Sequence, residues 1–224
     1  YKMIRGVDFY QFVLNAAKKH PNIEFQYDEI TSITPFNNLV NVTTSNGRHT
    51  GSFVFNSTNL FYPQINTQNS LLQHFMGWEI KTRQPTFDPE VGTLMDFSVH
   101  QKHGATFMYV LPTSETTALV EYTLFSPSVL EKHQYEHALD EYISQTLKID
   151  SPQITHTEFG VIPMSLEAFN TPEHGTDRIV QLGTAGGLTK ASTGYTFQFI
   201  QKHCQQIVNQ LKTNQSPSIP LSFR

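Results

Sequence analysis

The chain has 224 residues, of which 38% are hydrophobic, so it can bury the core of one large domain or of two small ones. Its formal net charge of −4 at pH 7 provides no basic surface of the kind that binds a phosphate backbone, which excludes nucleic acid as an expected partner. One cysteine cannot form an internal disulfide, and no apolar run in the sequence reaches the roughly 18 residues that cross a bilayer. We therefore expect a globular protein of a reducing compartment.

The first third of the chain predicts a helix followed by strands. Asp8 begins a pattern that resembles a capping box, and apolar residues then recur at helical spacing up to Pro21, which predicts a helix over about 8–20. Asn46-Gly47 lies between two alternating segments and is the strongest short-range hairpin signal in the sequence. We expect helix, strand and hairpin in this order.

The rest of the chain predicts a sheet, a long helix and a mixed closing part. Between residues 71 and 125, four alternating segments are separated by turn residues, which predicts a continuous antiparallel meander. Ser126-Pro127 is a typical N-cap and first-turn pair, so a long helix is expected to begin there. Two further strands, a glycine-rich segment and a helix over about 193–212 complete the prediction.

The glycine-rich segment reads GTAGGLTKASTGY over residues 183–195. At a helix entrance of this kind, backbone N–H groups can face an anion or a polar ring edge, and glycines let a ligand approach the backbone. Such segments also exist merely to pack a helix on a sheet, so the spacing alone leaves both interpretations open. No G-x-G-x-x-G motif follows a first strand, so a whole dinucleotide site is not encoded in this sequence.

Glu121 lies in a predicted strand whose two faces are both mostly apolar. A strand covered on both sides would keep this carboxyl group in surroundings that raise its pKa and hold it protonated. A protonated carboxyl group in an apolar cavity is the general acid that a very weak base requires. The alternative is an exposed glutamate on an edge strand, or one paired with a nearby lysine.

Two further carboxylates lie among apolar neighbours. Asp96 is on an adjacent predicted strand and is either a site residue or a strand-end acceptor of backbone hydrogen bonds, and Glu158 is either a site residue or a solvated strand residue. Aromatic residues that could line a cavity or simply form core are Phe107, Tyr109 and Trp78. The histidines do not repeat a metal-ligand spacing, so no metal site is expected.

Six segments together resemble the lycopene cyclase family, flavoproteins that close the end rings of carotenoids. In chain order they read QHFMGWEI, LMDFSV, FMYVLP, ALVEYTLFS, EFGVIPM and LGTAGGLTKASTGYTFQFIQ, and they span residues 73–201. Their order and spacing are similar to those of the bacterial cyclases.

The resemblance implies an α/β fold with an α+β insertion, that is, the hydroxylase-like FAD/NAD(P)-binding flavoprotein fold with an antiparallel β-sheet substrate domain. The implied division is the back part of the FAD-binding domain over 1–70, the sheet domain with its helix over 71–157, the C-terminal part of the FAD-binding domain over 158–212, and a loose tail over 213–224. Because the early glycine motif of the family is absent and the chain starts at Tyr1, we expect a fragment of a longer protein.

The resemblance also assigns residues. FAD-binding positions are expected at Gly183, Thr184, Ala185, Gly186, Gly187, Thr193, Gly194 and Tyr195. Thr184 stands where related flavin hydroxylases usually carry an acidic residue, which favours a cyclase. Glu121 matches the acid of the family's Leu-x-Glu-x-Thr stretch, for which an acid/base role is expected. Asp96 is a candidate catalytic partner that orients or repolarises the site, and Glu158 is a third catalytic candidate.

The implied reaction protonates a terminal double bond of lycopene, closes a β-ionone ring and loses a proton, using reduced FAD without net redox change. Implied partners are the hydrophobic polyene, the cytoplasmic inner face of a membrane and a reductant for FAD. Two other functions remain open, namely a flavin-dependent isoprenoid oxidoreductase (a reductase or hydroxylase) and an inactive fragment that binds a hydrophobic ligand. A fragment without the ADP-binding unit is expected to be inactive.

Overall fold

The computed structural model describes residues 3–61, 70–165, 176–190 and 192–217. Its α-helices are α1 (Gly6–Ala17), α2 (Lys132–Glu141) and α3 (Phe197–Lys212). Its β-strands are β1 (Ile30–Phe36), β2 (Leu39–Thr44), β3 (Arg48–Gly51), β4 (Val54–Asn56), β5 (Ser70–Lys81), β6 (Thr93–Asp96), β7 (Ala105–Ser114), β8 (Thr117–Ser126), β9 (Gln153–Ser165) and β10 (Ile179–Gln181). The chain divides into two compact units, with the division between Ser52 and Phe53.

The first unit contains α1 and a three-stranded antiparallel sheet in the order β1-β2-β3. The predicted first helix is confirmed, although it ends at Ala17, before the helix-breaking Pro21. The amide of Lys18 still donates to the carbonyl oxygen of Leu14, and the following amides close a turn. The hairpin at Asn46-Gly47 is confirmed, since β2 and β3 pair antiparallel on either side of it.

The second unit is built around a five-stranded antiparallel sheet in the order β6-β7-β8-β5-β9. The predicted continuous meander is wrong in one respect: β6, β7 and β8 follow one another, but β5 pairs with β8 and β9. Alternating apolar residues specify which face of a strand is buried and not which strands become its neighbours. The implied boundary between residues 157 and 158 falls inside β9, which pairs with β5 on both sides of that point.

The helix predicted to begin at Ser126-Pro127 begins later. Ser126 is the last residue of β8 and lies opposite Leu72, so the sheet continues through this position. Its hydroxyl group is 2.7 Å from Nε2 of the buried His74, which ties it to the sheet. The helix starts at Lys132 behind a capping box, in which Glu131 and Gln134 satisfy each other's backbone amides.

One face of the sheet is covered by α2 and by the single π-helical turn Tyr142–Thr146 that follows it. The core between them is apolar, and Leu139 and Tyr135 of α2 are fully buried there. The Tyr135 hydroxyl group also contacts His74 Nδ1 at 2.5 Å, so it links α2 to β5. Residues with side chains in this core are Met76, Ile80, Met108, Val110, Ala118, Val120, Tyr122, Leu124, Ile143 and Ile149.

The second unit also contains a short parallel pair, β4 and β10, after which the glycine-rich segment leads to α3. The last helix is confirmed, beginning at Phe197 and ending at Lys212. The predicted loose tail is described only as far as residue 217, and residues 218–224 lie outside the described residues. Among the helices described, none is long and apolar enough to cross a membrane.

Candidate active site

Strand β8 presents different environments on its two faces. The predicted alternation is confirmed: Val120 and its even-numbered neighbours are buried against α2, whereas Glu121 lies on the other face. On that face Thr123 is fully buried and Leu119 and Glu121 are only partly buried. The face of the sheet that carries Glu121 is therefore only partly covered by the described residues.

Four residues form a row across this face, which we call the acid row. Tyr109 of β7 lies directly opposite Glu121 of β8. Gly77 of β5 lies opposite Glu121 on one side and opposite Glu158 of β9 on the other. The antiparallel register thus places both glutamates on one face with a glycine between them. Of the three predicted acids, the structure brings these two together.

Gly77 leaves room for the Glu158 side chain to lie over the sheet. A Cβ atom built at Gly77 would be 3.0 Å from Glu158 Cγ, 3.1 Å from Glu158 Oε1 and 2.9 Å from Leu119 Cδ1. Any side chain at position 77 would compete with these atoms for the same space. A glycine inside a strand often marks such a close approach, so Gly77 is a site residue that its place within a strand pattern could have indicated.

The surroundings of Glu121 raise the pKa of its carboxyl group to near neutrality. Burial raises the pKa of Glu121 to about 7, and the negative charge of Glu158 and a hydrogen bond with it act in the same direction. The Thr123 hydroxyl group donates a hydrogen bond of 2.7 Å to Glu121 Oε1, which opposes the rise and fixes the orientation of the carboxyl group. A carboxyl group with this pKa can both donate and accept a proton at neutral pH.

Aromatic rings border the acid row on the β7 side. The Phe107 ring contacts those of Phe97, Tyr109 and Phe125, with centroids 5.3, 5.4 and 5.8 Å apart. Phe107 is only 1% exposed and forms the centre of this cluster. Tyr109 is the member that lies directly opposite Glu121 in the sheet. Of the two alternatives for Trp78, a cavity lining or core, the structure shows core, because Trp78 lies on the opposite face and packs against the α2 core.

Asp96 does not join the acid row. It lies opposite Met108, whose side chain is buried in the core on the α2 face. The Tyr142 hydroxyl group donates a 2.6 Å hydrogen bond to Asp96 Oδ2, and the Ser98 amide donates to its other oxygen. The expectation that Asp96 assists Glu121 therefore has no support in the geometry, since the sheet separates the two carboxyl groups. Asp96 instead ties β6 to the turn after α2.

We expect Asp96→Asn to lower the free energy of unfolding by about 1 kcal/mol near pH 7. The hydrogen bond from Tyr142 holds the pKa of Asp96 below its usual value, so the carboxylate stabilises the fold above the pKa of the unfolded state, and this contribution is lost as pH falls through the folded-state pKa. Urea unfolding at several pH values should show the difference from wild type shrinking on acidification. The exposed carboxylate variant Asp140→Asn on α2 is the control, and a difference independent of pH would contradict the assignment.

The glycine-rich segment reaches the same face of the sheet. Gly183–Gly186 form a single 3₁₀ turn, which the left-handed Gly187 ends. The amides of Gly186 and Gly187 are used within the turn, donating to Leu182 and Thr184. These glycines therefore shape the turn first, and the predicted FAD-binding role of residues 183–187 is not decided by their hydrogen bonds.

Gly194 makes the contact between this segment and the sheet. Its φ is +72°, and a Cβ atom built there would be 1.7 Å from Gln73 Oε1, so only glycine fits. Gln73 is on the Glu121 face of β5, 9% exposed, and its Oε1 is buried without a hydrogen-bond partner. Gln73 and Gly77 are four residues apart on β5, which corresponds to about 13 Å.

No group of three or more His, Cys, Asp or Glu side chains that could hold a metal ion occurs within 3–61, 70–165, 176–190 and 192–217. The fully buried His74 is instead part of the contact between β5, β8 and α2.

Solved structures with a similar fold include proteins described as flavoproteins or as flavin-dependent. A geranylgeranyl bacteriochlorophyll reductase-like protein from Thermoplasma acidophilum also matches (15% identity, 83% of this chain and 49% of that chain, TM-score 0.58). A flavoprotein/dehydrogenase from Cytophaga hutchinsonii matches with 13% identity over 97% of this chain and 56% of that chain, at a TM-score of 0.62. The flavin-dependent brominase Bmp2 matches with 15% identity over 99% of this chain and 60% of that chain, at a TM-score of 0.59.

At these identities the likeness shows the fold alone, and it confirms the predicted fold class, an α/β flavoprotein fold with an antiparallel sheet. The chain spans 49%, 56% and 60% of the lengths of these three structures. No curated protein matches the sequence. The family model described as "Lycopene cyclase protein" matches residues 1–221, and the chain therefore belongs to the lycopene cyclase family.

Proposed function

We propose that this chain forms the cyclisation site of a lycopene β-cyclase, an intramolecular lyase of carotenoid biosynthesis. The observation that carries the proposal is the carboxyl group of Glu121, which has a pKa of about 7 and lies on a partly open, apolar sheet face. A general acid with a pKa near the working pH has the protonation state that an alkene, a very weak base, requires. Membership of the lycopene cyclase family supports this chemistry.

The residues of the acid row have separate roles in this reaction. Glu121 donates a proton to the terminal double bond, while the bond from Thr123 keeps its carboxyl group pointing in one direction. The positive charge that develops on carbon is stabilised by the face of a neighbouring aromatic ring, and Tyr109, directly opposite Glu121, is the ring in position to do so. The surrounding apolar side chains exclude water, which would otherwise trap the cation as an alcohol.

The glycine-rich segment fits a flavin. Gln73 Oε1 is a buried acceptor without a hydrogen-bond donor and packs against Gly194, so it marks a polar position where this segment meets the sheet. Residues 183–187 and 193–195 would hold FAD beside it, because the glycines allow a ring to approach the backbone. When bound, reduced FAD would supply an electron-rich ring that can stabilise a cation, without net redox change.

The proposed partners follow from the substrate. Lycopene is a long hydrocarbon that partitions into membranes, so the protein would bind peripherally to the cytoplasmic face of a membrane to reach it. FAD that acts in its reduced form also requires a reductant. Membrane binding and the reduction of FAD are proposed for the whole protein.

The test is pigment analysis in lycopene-accumulating bacteria that express the full-length gene product. We expect conversion of lycopene to a cyclic product of identical mass. A product that differs in mass by hydrogen or oxygen would replace the proposal with an isoprenoid oxidoreductase. If lycopene stayed unchanged in the presence of folded, flavin-loaded protein, the function would instead be the binding of a hydrophobic ligand.

A further inference from the structure

We propose that Glu158 is the second acid-base group of this site, sharing one proton with Glu121 across Gly77 and accepting the proton that the closing ring loses. The inference rests on the proposed function for its chemistry, whereas the sharing of a proton between the two carboxyl groups rests on the structure alone.

The sheet geometry brings the two carboxyl groups together in a specific way. Strands β8 and β9 are separated by β5, so Glu121 and Glu158 start from backbones about 9.5 Å apart. The residue between them is Gly77, and the Glu158 side chain lies over it. A Cβ atom at position 77 would be 3.0 Å from Glu158 Cγ and 3.1 Å from Glu158 Oε1, closer than van der Waals contact, so a side chain there would displace Glu158.

The hydrogen-bonding partners of Glu121 leave one place for the shared proton. The Thr123 hydroxyl group already donates to Glu121 Oε1, so a proton between the glutamates lies on the side facing Glu158. Two carboxyl groups that approach each other across one glycine cannot both be ionised without strong repulsion, and we infer that they retain one proton between them. The charge of Glu158 and its hydrogen bond both raise the pKa of Glu121, as this arrangement requires.

A pair with one proton matches a reaction that consumes one proton and releases one. The O–H bond of Glu121 breaks as a C–H bond forms at the terminal double bond, and the cation closes the ring through a neighbouring double bond. The ring then loses a proton from carbon to the Glu158 carboxylate, and the C–H electron pair becomes the ring double bond. Transfer of the proton from Glu158 to Glu121 restores the starting state, with no oxidant, reductant or solvent proton consumed.

The pair is tested without substrate by infrared titration of the protonated carboxyl band in the purified, flavin-loaded full-length protein. Glu121→Gln identifies the Glu121 band in the wild type, which is expected to titrate near pH 7. Glu158→Gln removes the neighbouring charge, so the Glu121 midpoint is expected to fall by about one pH unit or more. Glu79→Gln is the matched control, because Glu79 is on the same strand and face, two residues from Gly77, and its carboxylate bonds to Thr155. This variant should leave the midpoint unchanged.

A second variant protects the test against loss of folding. Glu158→Asp keeps the charge but shortens the reach over Gly77 by one methylene group, so its midpoint should lie between those of wild type and Glu158→Gln. If the midpoint of the Glu121 band were unchanged in either folded Glu158 variant, the two carboxyl groups would not share a proton.

Conversion of lycopene by the same variants tests the acceptor role. A lowered midpoint with full conversion in Glu158→Gln would show that Glu158 is not the proton acceptor. If the wild type did not cyclise lycopene but the Glu121 midpoint still fell in Glu158→Gln, the proposed function would be overturned and the carboxyl pair would remain. The two failures are therefore distinguishable.

Discussion

Glu121→Gln is expected to lower the conversion of lycopene by about 10²–10⁴-fold, the contribution typical of a positioned general acid. The amide of glutamine has the same shape and its oxygen still accepts the hydrogen bond from Thr123, but it has no proton acidic enough to protonate an alkene. Cyclic carotenoid per folded protein in lycopene-accumulating cells measures the effect.

The matched control is Glu115→Gln in the turn between β7 and β8. Its side chain is exposed and lies outside the acid row, so conversion should equal that of wild type. If Glu121→Gln retained most of the activity while flavin content and melting temperature matched the wild type, the acid would have to be another group.

Leu139→Ala is expected to lower the free energy of unfolding by about 2–5 kcal/mol. Leu139 is fully buried between α2 and the sheet, and truncation leaves a cavity that the surrounding side chains fill only in part. Chemical denaturation followed by circular dichroism measures the change.

The same substitution at an exposed position is the control for Leu139. Leu211→Ala on α3, where the side chain is 41% exposed, should change the free energy of unfolding by no more than about 0.5 kcal/mol. Equal effects of the two substitutions would mean that α2 is not packed on the sheet as described.

The parts of the fold that local sequence specifies were predictable. The hairpin at Asn46-Gly47 depends on turn chemistry within a few residues, and the placement of Glu121 opposite to the core face depends only on the alternation of a strand. The glycine-rich segment was recognised from its composition. Its contact with Gln73, however, joins residues far apart in the chain and no local pattern indicates it.

The parts that depend on which strands become neighbours were not predictable from local patterns. Placing β5 between β8 and β9 brings Glu158 to Glu121, and it also makes Gly77 part of the site. The pairing of β6 with β7 places Asp96 on the α2 face, although its apolar sequence neighbours had suggested a role in the site. Ser126-Pro127 has the composition of a helix start, but the pairing of Ser126 in β8 and its contact with His74 override that preference.

The central position of β5 makes the acid row a product of high contact order. Its pairing with β9 joins distant segments, as shown by Glu79 and Thr155, which are hydrogen-bonded although 76 residues apart in the chain. Such pairings form only after large loops close, which is the slow part of folding for sheet proteins. The raised pKa of Glu121 therefore belongs to the completed sheet, and in any partly folded chain its carboxyl group would ionise as an ordinary glutamate and could not act as the acid. Proton donation is in this way restricted to molecules that have finished folding.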